Sequence, residues 1–368
     1  MKNLLWLLLI IAGGCVSKPA QTDYPVIDVE DLLANPEEVF VSDVAADMKI
    51  IQLETSDSCL IARGLFFDLR DEGIVFHDGG LKKFNVAGSF EGNVFRRGQG
   101  PGEIPGMMDY FLKDSLIYLT TLSKVCQIYT YHGGLKEEFP IPVHTNNGFA
   151  ALDDNKFVTA MLGWGENDKK GRLQFFDKAG VRKTLYKPYS IEGPFPESYM
   201  MGKEADFISY NDTVYMKEIL NDTIFSIDAS RDTIKPYLVY DFGKYKSKPE
   251  YRYNIALEEL YLKVPYTIFL GMSEKYVYLT TMFANIQKQE SIDALCIYNK
   301  ETQKSRIVRL AYSEKDIATL KSTLGDNFDE TKSPYFVPIS LSEHGDYLCA
   351  LLPQITERNQ AIVLVKLK

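Results

Sequence analysis

From Met48 onward the chain alternates short apolar runs with tight polar breaks. Asp71-Glu72-Gly73 leads into Ile74-Val75-Phe76, Lys113-Asp114-Ser115 into Leu116-Ile117-Tyr118-Leu119, and Asp153-Asp154-Asn155 into Phe157-Val158. Asn211-Asp212-Thr213 precedes Val214-Tyr215-Met216, Ser273-Glu274-Lys275 precedes Tyr276-Val277-Tyr278-Leu279, and His344-Gly345-Asp346 precedes Tyr347-Leu348. A second such run follows most of these, at 125–129, 173–176, 224–227, 295–298 and 361–365. Aromatic and β-branched residues suit a pleated, half-buried surface, and Asp, Asn and Gly supply the reversals between them, so the pattern reads as strands and turns. Asn211-Asp212-Thr213-Val214-Tyr215 is echoed by Asn221-Asp222-Thr223-Ile224-Phe225, as two consecutive strands of one meander would be.

The six starts recur about every 40 residues at first and about every 60 to 70 later, a spacing of small stacked sheets. A small sheet cannot bury both of its faces alone, but packing it between neighbours does so, and closing the stack into a ring removes its unprotected ends. The expected fold is therefore all-β, a six-bladed β-propeller. A pair of stacked sheets is the alternative and explains the six echoes less well. Ring closure needs a partner for the last unit. The isolated strand candidate at 48–54 is expected to join the sheet formed by 332–368, so that N- and C-terminal strands close the same blade. Small helical insertions account for the longer late spacing. One falls at 249–263, through Tyr253, Ala256, Leu257, Leu260 and Tyr261. The other falls at 313–324, with Ser313 and Asp316 placed as a capping box and Ile317, Leu320 and Leu324 on one side. Both are expected to pack across a propeller face and narrow its mouth. A short helix broken near Asn35-Pro36 is expected outside the ring, within 29–41.

The first residues change the picture of where the ring resides. Met1-Lys2-Asn3 is followed by eight apolar residues, Leu4 to Ile11, then Ala12-Gly13-Gly14-Cys15. A basic start, a short apolar run and small residues make a secretion signal; the run is about half of what a membrane-spanning helix needs. Ala12-Gly13-Gly14-Cys15 resembles the bacterial lipobox, with alanine where leucine is usual. The resemblance implies a signal peptide over 1–14 and a diacylglycerol on the Cys15 sulfur, which further acylation by palmitate-type chains would make a stable membrane anchor. Residues 15–25, with Ser17, Pro19, Gln21 and Thr22, read as a flexible tether, and 26–368 as a single propeller domain. Secretion with a free Cys15 is the alternative. Some surface-displayed bacterial lipoproteins that resemble this one carry an acidic run just after the cysteine; Val16-Ser17-Lys18 lacks it, which slightly favours a periplasm-facing position.

The chain carries 41 Lys plus Arg against 50 Asp plus Glu, and loss of the signal would take its formal charge from −9 to −10. That sign disfavours nucleic acid as a partner. Cys59, Cys126, Cys296 and Cys349 are widely spaced without a CxxC pair. Cys126 and Cys296 sit in strand-like runs where a small buried hydrophobe suffices, and the pattern leaves open whether any disulfide forms.

The most distinctive run is Arg96-Arg97-Gly98-Gln99-Gly100-Pro101-Gly102-Glu103-Ile104. Its glycines and proline allow a backbone path closed to other residues, which suits a connector from the outer strand of one blade to the inner strand of the next. A phosphate-cradling loop is the competing reading, but the Gly-Lys-Ser/Thr ending is missing and Pro105-Gly106 interrupts any following helix. Arg96 and Arg97 are candidates for a polar face, or for pairing with Glu103 between blades. The run resembles the G-x-G-P-G-E segment of NHL-type propellers, in particular the six-bladed propeller lipoproteins of gut Bacteroidetes. Leu53-Glu54-Thr55 and the Asp-Thr echoes at 212–213 and 222–223 are similar to that family too. The resemblance implies an exported propeller over most of the chain and says little about activity.

Chemistry is sparse. His77, His132, His144 and His344 form no H-x-H or H-E-x-x-H pattern, so no metal site is expected, and the lyase activity of some metal-dependent NHL-type propellers is not carried over. Asp153-Asp154-Asn155 lacks the glutamate of a calcium loop, and with Asp168, Asp177 and Asp228 it reads as hairpin-end material. No G-x-S-x-G elbow occurs, and no catalytic residue or cofactor is expected. Among the aromatics, Phe149, Trp164 and Tyr210 stand out. Trp164, flanked by Gly163 and Gly165, is a candidate recognition loop, with packing between blades as the competing role.

These readings converge on an envelope propeller that binds a ligand or protein, such as an envelope protein or glycan, and meets the membrane only through its anchor. An envelope hydrolase or lyase acting on glycan or peptide is the first alternative, and convergent carboxylates in a deep central pocket would favour it. A structural scaffold, recognisable by a closed and featureless face, is the second.

Overall fold

The structure, a computed structural model, describes residues 22–34, 36–61, 66–100, 103–142, 148–161, 171–186, 205–247, 264–285 and 290–368. Six four-stranded antiparallel units succeed one another around a ring. The first strand of each is innermost, and these first strands meet one another around the axis. They are Phe66–Arg70, Met107–Lys113, Phe149–Ala151, Ala205–Tyr210, Tyr266–Met272 and Ser340–Leu341, for blades 1 to 6.

The six strands expected after polar turns are the second strands of the six blades. Gly73–His77, Leu116–Thr121 and Lys156–Ala160 serve blades 1 to 3; Thr213–Glu218, Tyr276–Asn285 and Leu348–Leu351 serve blades 4 to 6. The turn at Asn211-Asp212 shows why the pattern was readable. Tyr210 pairs with Thr213, leaving a two-residue hairpin whose central residues sit at φ 47° and 58°. Asn and Asp tolerate that left-handed backbone, and a right-twisted hairpin demands it.

Ring closure is as expected. Ala45–Gln52 pairs antiparallel with Ala361–Leu367, from Ala45 opposite Leu367 to Gln52 opposite Ala361, so the last blade takes its outer strand from the beginning of the chain. Asn359, 2% exposed, fastens the connector that leaves this strand for blade 1. Its side-chain amide donates to the carbonyls of Glu54 (2.6 Å) and Cys59 (3.0 Å). Its side-chain oxygen accepts from the Ile61 amide (2.8 Å), and its backbone N–H donates to Thr55 Oγ1 (2.9 Å).

The core lies between blades rather than within them. One apolar cluster joins Phe67, Phe76 and Phe84 of blade 1 to Ile362 and Leu364 of blade 6, and another joins blade 1 to blade 2 through Val75, Leu81, Ile117 and Leu119. A third runs from Tyr118 and Phe139 through Phe149, Phe157 and Phe176 to Phe207 and Phe225, spanning blades 2 to 4. Two more join blades 4 to 5 and 5 to 6. Each blade face is dry only because its neighbour covers it. All four cysteines of the body, including Cys126 and Cys296 in their strands, are buried free thiols.

The segment ahead of the closing strand does more than expected. A helix at Glu30–Ala34 is present, outside the ring, but it is flanked by two short strands. Val26–Asp28 adds in parallel to the outer strand of blade 4, and Glu37–Phe40 to that of blade 5. The helix Glu314–Leu324 has its capping box: Ser313 Oγ accepts from the Asp316 amide (3.3 Å) and Asp316 Oδ2 accepts from the Ser313 amide (2.9 Å). It does not lie across a face. Leu320 and Leu324 bury into the cluster between blades 5 and 6, and Asp316 also accepts from the Ser42 amide. The 249–263 insertion lies outside the described residues.

Candidate functional site

In each blade the inner strand runs from one face of the ring to the other. Tight turns such as 71–72, 114–115 and 211–212 follow the inner strands on one face, whereas the long connectors between blades deliver the chain to the opposite face, where the inner strands begin. Along the axis lies a cavity of about 510 Å³, walled by inner strands of blades 1, 2, 4, 5 and 6. Its wall mixes apolar side chains (Phe111, Leu270, Met272, Leu341) with aromatics that carry hydroxyls (Tyr110, Tyr210, Tyr266) and with charged groups (Asp68, Arg70, Asp109, Asp206, Glu343).

The polar groups are positioned by contacts between blades. Tyr110 of blade 2 donates its hydroxyl to Asp68 Oδ2 of blade 1 at 2.8 Å, and the His77 ring meets Tyr110 edge-on with centroids 5.8 Å apart. Burial first, then the negative charges of Asp68 and Asp109, hold the Tyr110 hydroxyl well above its ordinary pKa, against the opposing charge of Arg70. Tyr110 is therefore a neutral donor, not a base. Arg70 ties three blades together: Nη1 meets Glu343 Oε1 of blade 6 at 2.9 Å, and Nη2 donates to the Leu112 carbonyl of blade 2 at 3.1 Å.

Local backbone irregularities aim these side chains. The pairing of Met107–Lys113 slips between Met107 and Asp109, a bulge beside Asp109 and Tyr110, both of which line the cavity. Blade 5 has a matching slip between Phe269 and Gly271. Gly271 stands at φ 123°, and a Cβ there would sit 3.3 Å from Leu341 and 3.5 Å from Ile208, so glycine keeps three inner strands close.

Asp71, Glu343 and His344 bring three metal-competent atoms within 4.8 Å of one another where blade 6 meets blade 1. Glu343 is already held by Arg70 and by the Asp71 amide, and His344 Nε2 lies 3.1 Å from Asp71 Oδ2. The set reads as a polar clasp on the seam.

Of the residues singled out from sequence, Tyr210 lines the cavity, and Phe149 is buried in the cluster of blades 2 to 4. Cys15 and Trp164 lie outside the described residues; Ala160 and Gly171, the strand ends that flank the Trp164 segment, are at the face where the inner strands begin. Arg96 and Arg97 are exposed on a two-residue strand paired in parallel with Glu103–Ile104. The run containing them does connect the outer strand of blade 1 to the inner strand of blade 2. Glu103 turns its carboxylate into its own loop, accepting from the Gly100 amide at 3.0 Å. Asp153, Asp177 and Asp228 each cap a turn by accepting backbone N–H groups. Asp68, Arg70, Asp109, Tyr110, Asp206 and Glu343 were not singled out. The available signal was position: all but Glu343 lie in the inner strand just ahead of a recognised turn, and Glu343 opens the turn of blade 6.

A ring of six blades around a lined axial cavity defines a β-propeller with a central site. The chain belongs to the family described as a domain of unknown function, DUF4934, whose family model matches residues 24–359. No curated protein matches it. Among solved structures, one of a Bacteroides fragilis protein described as exported superposes with a TM-score of 0.63 at 16% identity, covering 93% of this chain and 99% of that one. The WD40 domain of Pan2 from Neurospora crassa gives a TM-score of 0.44 at 8% identity, covering 90% and 98%. The first likeness is one of fold.

Proposed function

We propose that this chain is a lipid-anchored protein of the bacterial envelope whose propeller binds a small ligand, or the side chain of a larger one, in its central channel. The observation that carries the binding reading is the axial cavity: five blades converge on it with apolar walls and a few fixed polar groups, the composition of a ligand site. The envelope reading rests on Ala12-Gly13-Gly14-Cys15 and gains support from the exported relative of the same fold. A periplasm-facing position is favoured by the lack of an acidic run after Cys15.

Two measurements test this. Metabolic labelling with palmitate should mark the wild-type protein and not Cys15→Ala; equal labelling of both would remove the anchor. Mass spectrometry of small molecules released from protein purified out of its own envelope should find a species that is absent from Leu341→Trp, whose indole would fill the channel. The same species on both would move binding away from the axis.

A second reading has its own observation. Asp68, Asp109, Asp206 and Glu343 all face the cavity, and convergent carboxylates are what a hydrolase or lyase would need. Turnover of an envelope glycan or peptide that is lost in Asp206→Asn would favour it.

A further inference from the structure

We infer that the shoulder of the ring where blades 3 and 4 meet rests on the lipid surface, so that the propeller is held by its rim and not by either face. This rests on the reading of Cys15 as a lipid anchor and adds which surface of the protein meets the bilayer. The chain laces itself around the rim as it enters the fold. Taken backwards, Ala45–Gln52 lies in blade 6, Glu37–Phe40 on blade 5 and Val26–Asp28 on blade 4, one blade per step. Among the described residues the lacing ends there, where the Pro25 carbonyl accepts from the Val239 amide at 3.0 Å. The tether therefore leaves the fold from the outer edge of blade 4. Its length limits the freedom that remains. Val26 is 11 positions after Cys15. That much chain spans at most about 40 Å when fully extended and about 18 Å as a relaxed coil. A compact body of this size is about 50 Å across. The outer edge of blade 1, across the axis from blade 4, is thus beyond the relaxed tether, whereas the edges of blades 3 and 4 are within it.

The surface beside the exit point suits a headgroup region. Tyr186 is 65% exposed, the most exposed of the described large hydrophobic side chains, and Val26 and Val181 are 49% and 48% exposed. Tyr186 and Val181 lie on Gly180–Tyr186, the outer strand of blade 3. Tyr186 pairs with Gly171 and Asp28 with Asp241, so Tyr186 and the exit point both sit toward the face where the inner strands begin. A tyrosine offers an apolar ring and a polar tip, the combination that suits a membrane interface. The N-terminal lacing covers the outer strands of blades 4 and 5 and leaves those of blades 1, 2, 3 and 6 open. Three of these open strands carry carboxylates: Glu91 in blade 1, Glu137 and Glu138 in blade 2, and Asp47 in blade 6. The strand of blade 3 carries none. Its Arg182 is paired with Asp177 and Asp232, and its Lys183 donates to the Arg231 carbonyl and meets no carboxylate among the described residues. For a chain of net charge −9, that is the open edge an anionic bilayer repels least. A lipid surface there would also shield a strand edge that bears apolar side chains.

The test uses protein purified with its native acylation and reconstituted into vesicles of phosphatidylethanolamine and phosphatidylglycerol that carry a headgroup-linked nitroxide quencher. The four cysteines of the body are buried, so a thiol-reactive fluorophore reports one introduced cysteine at a time. Lys183→Cys and Lys235→Cys mark the exposed rim of blades 3 and 4, and Glu91→Cys marks that of blade 1. We expect quenching at 183 and 235 to exceed that at 91 at least about threefold, because position 91 lies farther from the headgroups than the relaxed tether reaches. Tyr186→Asp, a change at an exposed side chain, should narrow that gap. Equal quenching at the three positions, or a gap untouched by Tyr186→Asp, would overturn the membrane-facing shoulder and leave the anchor in place. A dimer in detergent that blocks labelling at 183 would give that edge to a second copy and overturn it as well. Wild-type protein that stays off the vesicles, as Cys15→Ala should, would remove the anchor and the shoulder together.

Discussion

The hydroxyl of Tyr110 donates to Asp68 at 2.8 Å across the boundary between the second blade and the first. A contact between inner strands so close to the axis makes the wall of the cavity depend on the register of two separate sheets. Tyr110→Phe removes the donor and keeps the ring. We expect a loss of about 1–2 kcal/mol in urea unfolding, the cost of leaving a carboxylate oxygen short of its hydrogen bond. A change below a few tenths of a kcal/mol would mean that water replaces the hydroxyl without penalty.

Asn359 holds the seam between the last blade and the first through four hydrogen bonds to the connector 54–61. Asn359→Ala strips three of them and leaves buried backbone groups unsatisfied, so a loss of about 2–4 kcal/mol is expected. Limited proteolysis should then cut first within 53–65. Cutting elsewhere with unchanged stability would show that the seam is held by its apolar cluster alone.

Phe157 is fully buried and lies 5.3 Å from the Phe139 ring, 5.4 Å from Phe176 and 6.0 Å from Phe149. Phe157→Ala should cost about 3–5 kcal/mol, the range for removing a large aromatic from a packed core. Gly148, at φ 121°, opens the inner strand of blade 3, and a Cβ there would fall 2.4 Å from the Ala205 carbonyl of blade 4. Gly148→Ala is therefore expected to destabilise despite adding one methyl, by about 1–3 kcal/mol. Equal stability in thermal melts would contradict the close approach of these two blades.

Burial pushes the Tyr118, Tyr237 and Tyr278 hydroxyls up to about 12. An unfolded tyrosine ionises near pH 10. Above that pH the unfolded chain releases protons that the folded chain keeps, so the stability these groups contribute is present below about pH 10 and is lost as pH climbs toward 12. Urea midpoints should fall across that window, and the 295 nm tyrosinate absorbance of folded protein should lag that of unfolded protein. Coincident titration curves would contradict the burial.

Sequence reasoning reached the parts of this fold that local chemistry specifies. Second strands such as Leu116–Thr121 are buried on both faces and follow turn residues like Asp114, whose φ of 51° marks a left-handed position. The capping box at Ser313 and Asp316 is likewise written within four residues. Inner strands were harder to read because some are very short, as with Phe149–Ala151 and Ser340–Leu341, and because one edge faces the channel, which breaks the alternation of apolar and polar positions. The parallel additions at Val26–Asp28 and Glu37–Phe40 depend on outer edges that exist only once blades 4 and 5 have formed. The channel residues were illegible for a related reason. Arg70 and Glu343 are 273 positions apart, and only closure of the ring makes them neighbours.

Whether the chain closes its ring with its own beginning is tested most directly by hydrogen exchange of the Ala45–Gln52 amides. The 45–52 amides that bond to Ala361–Leu367 should be protected and exchange on the timescale of the 361–367 amides. Exchange of the bonded 45–52 amides within seconds, while 361–367 stays protected, would show an unpaired arm and an open ring.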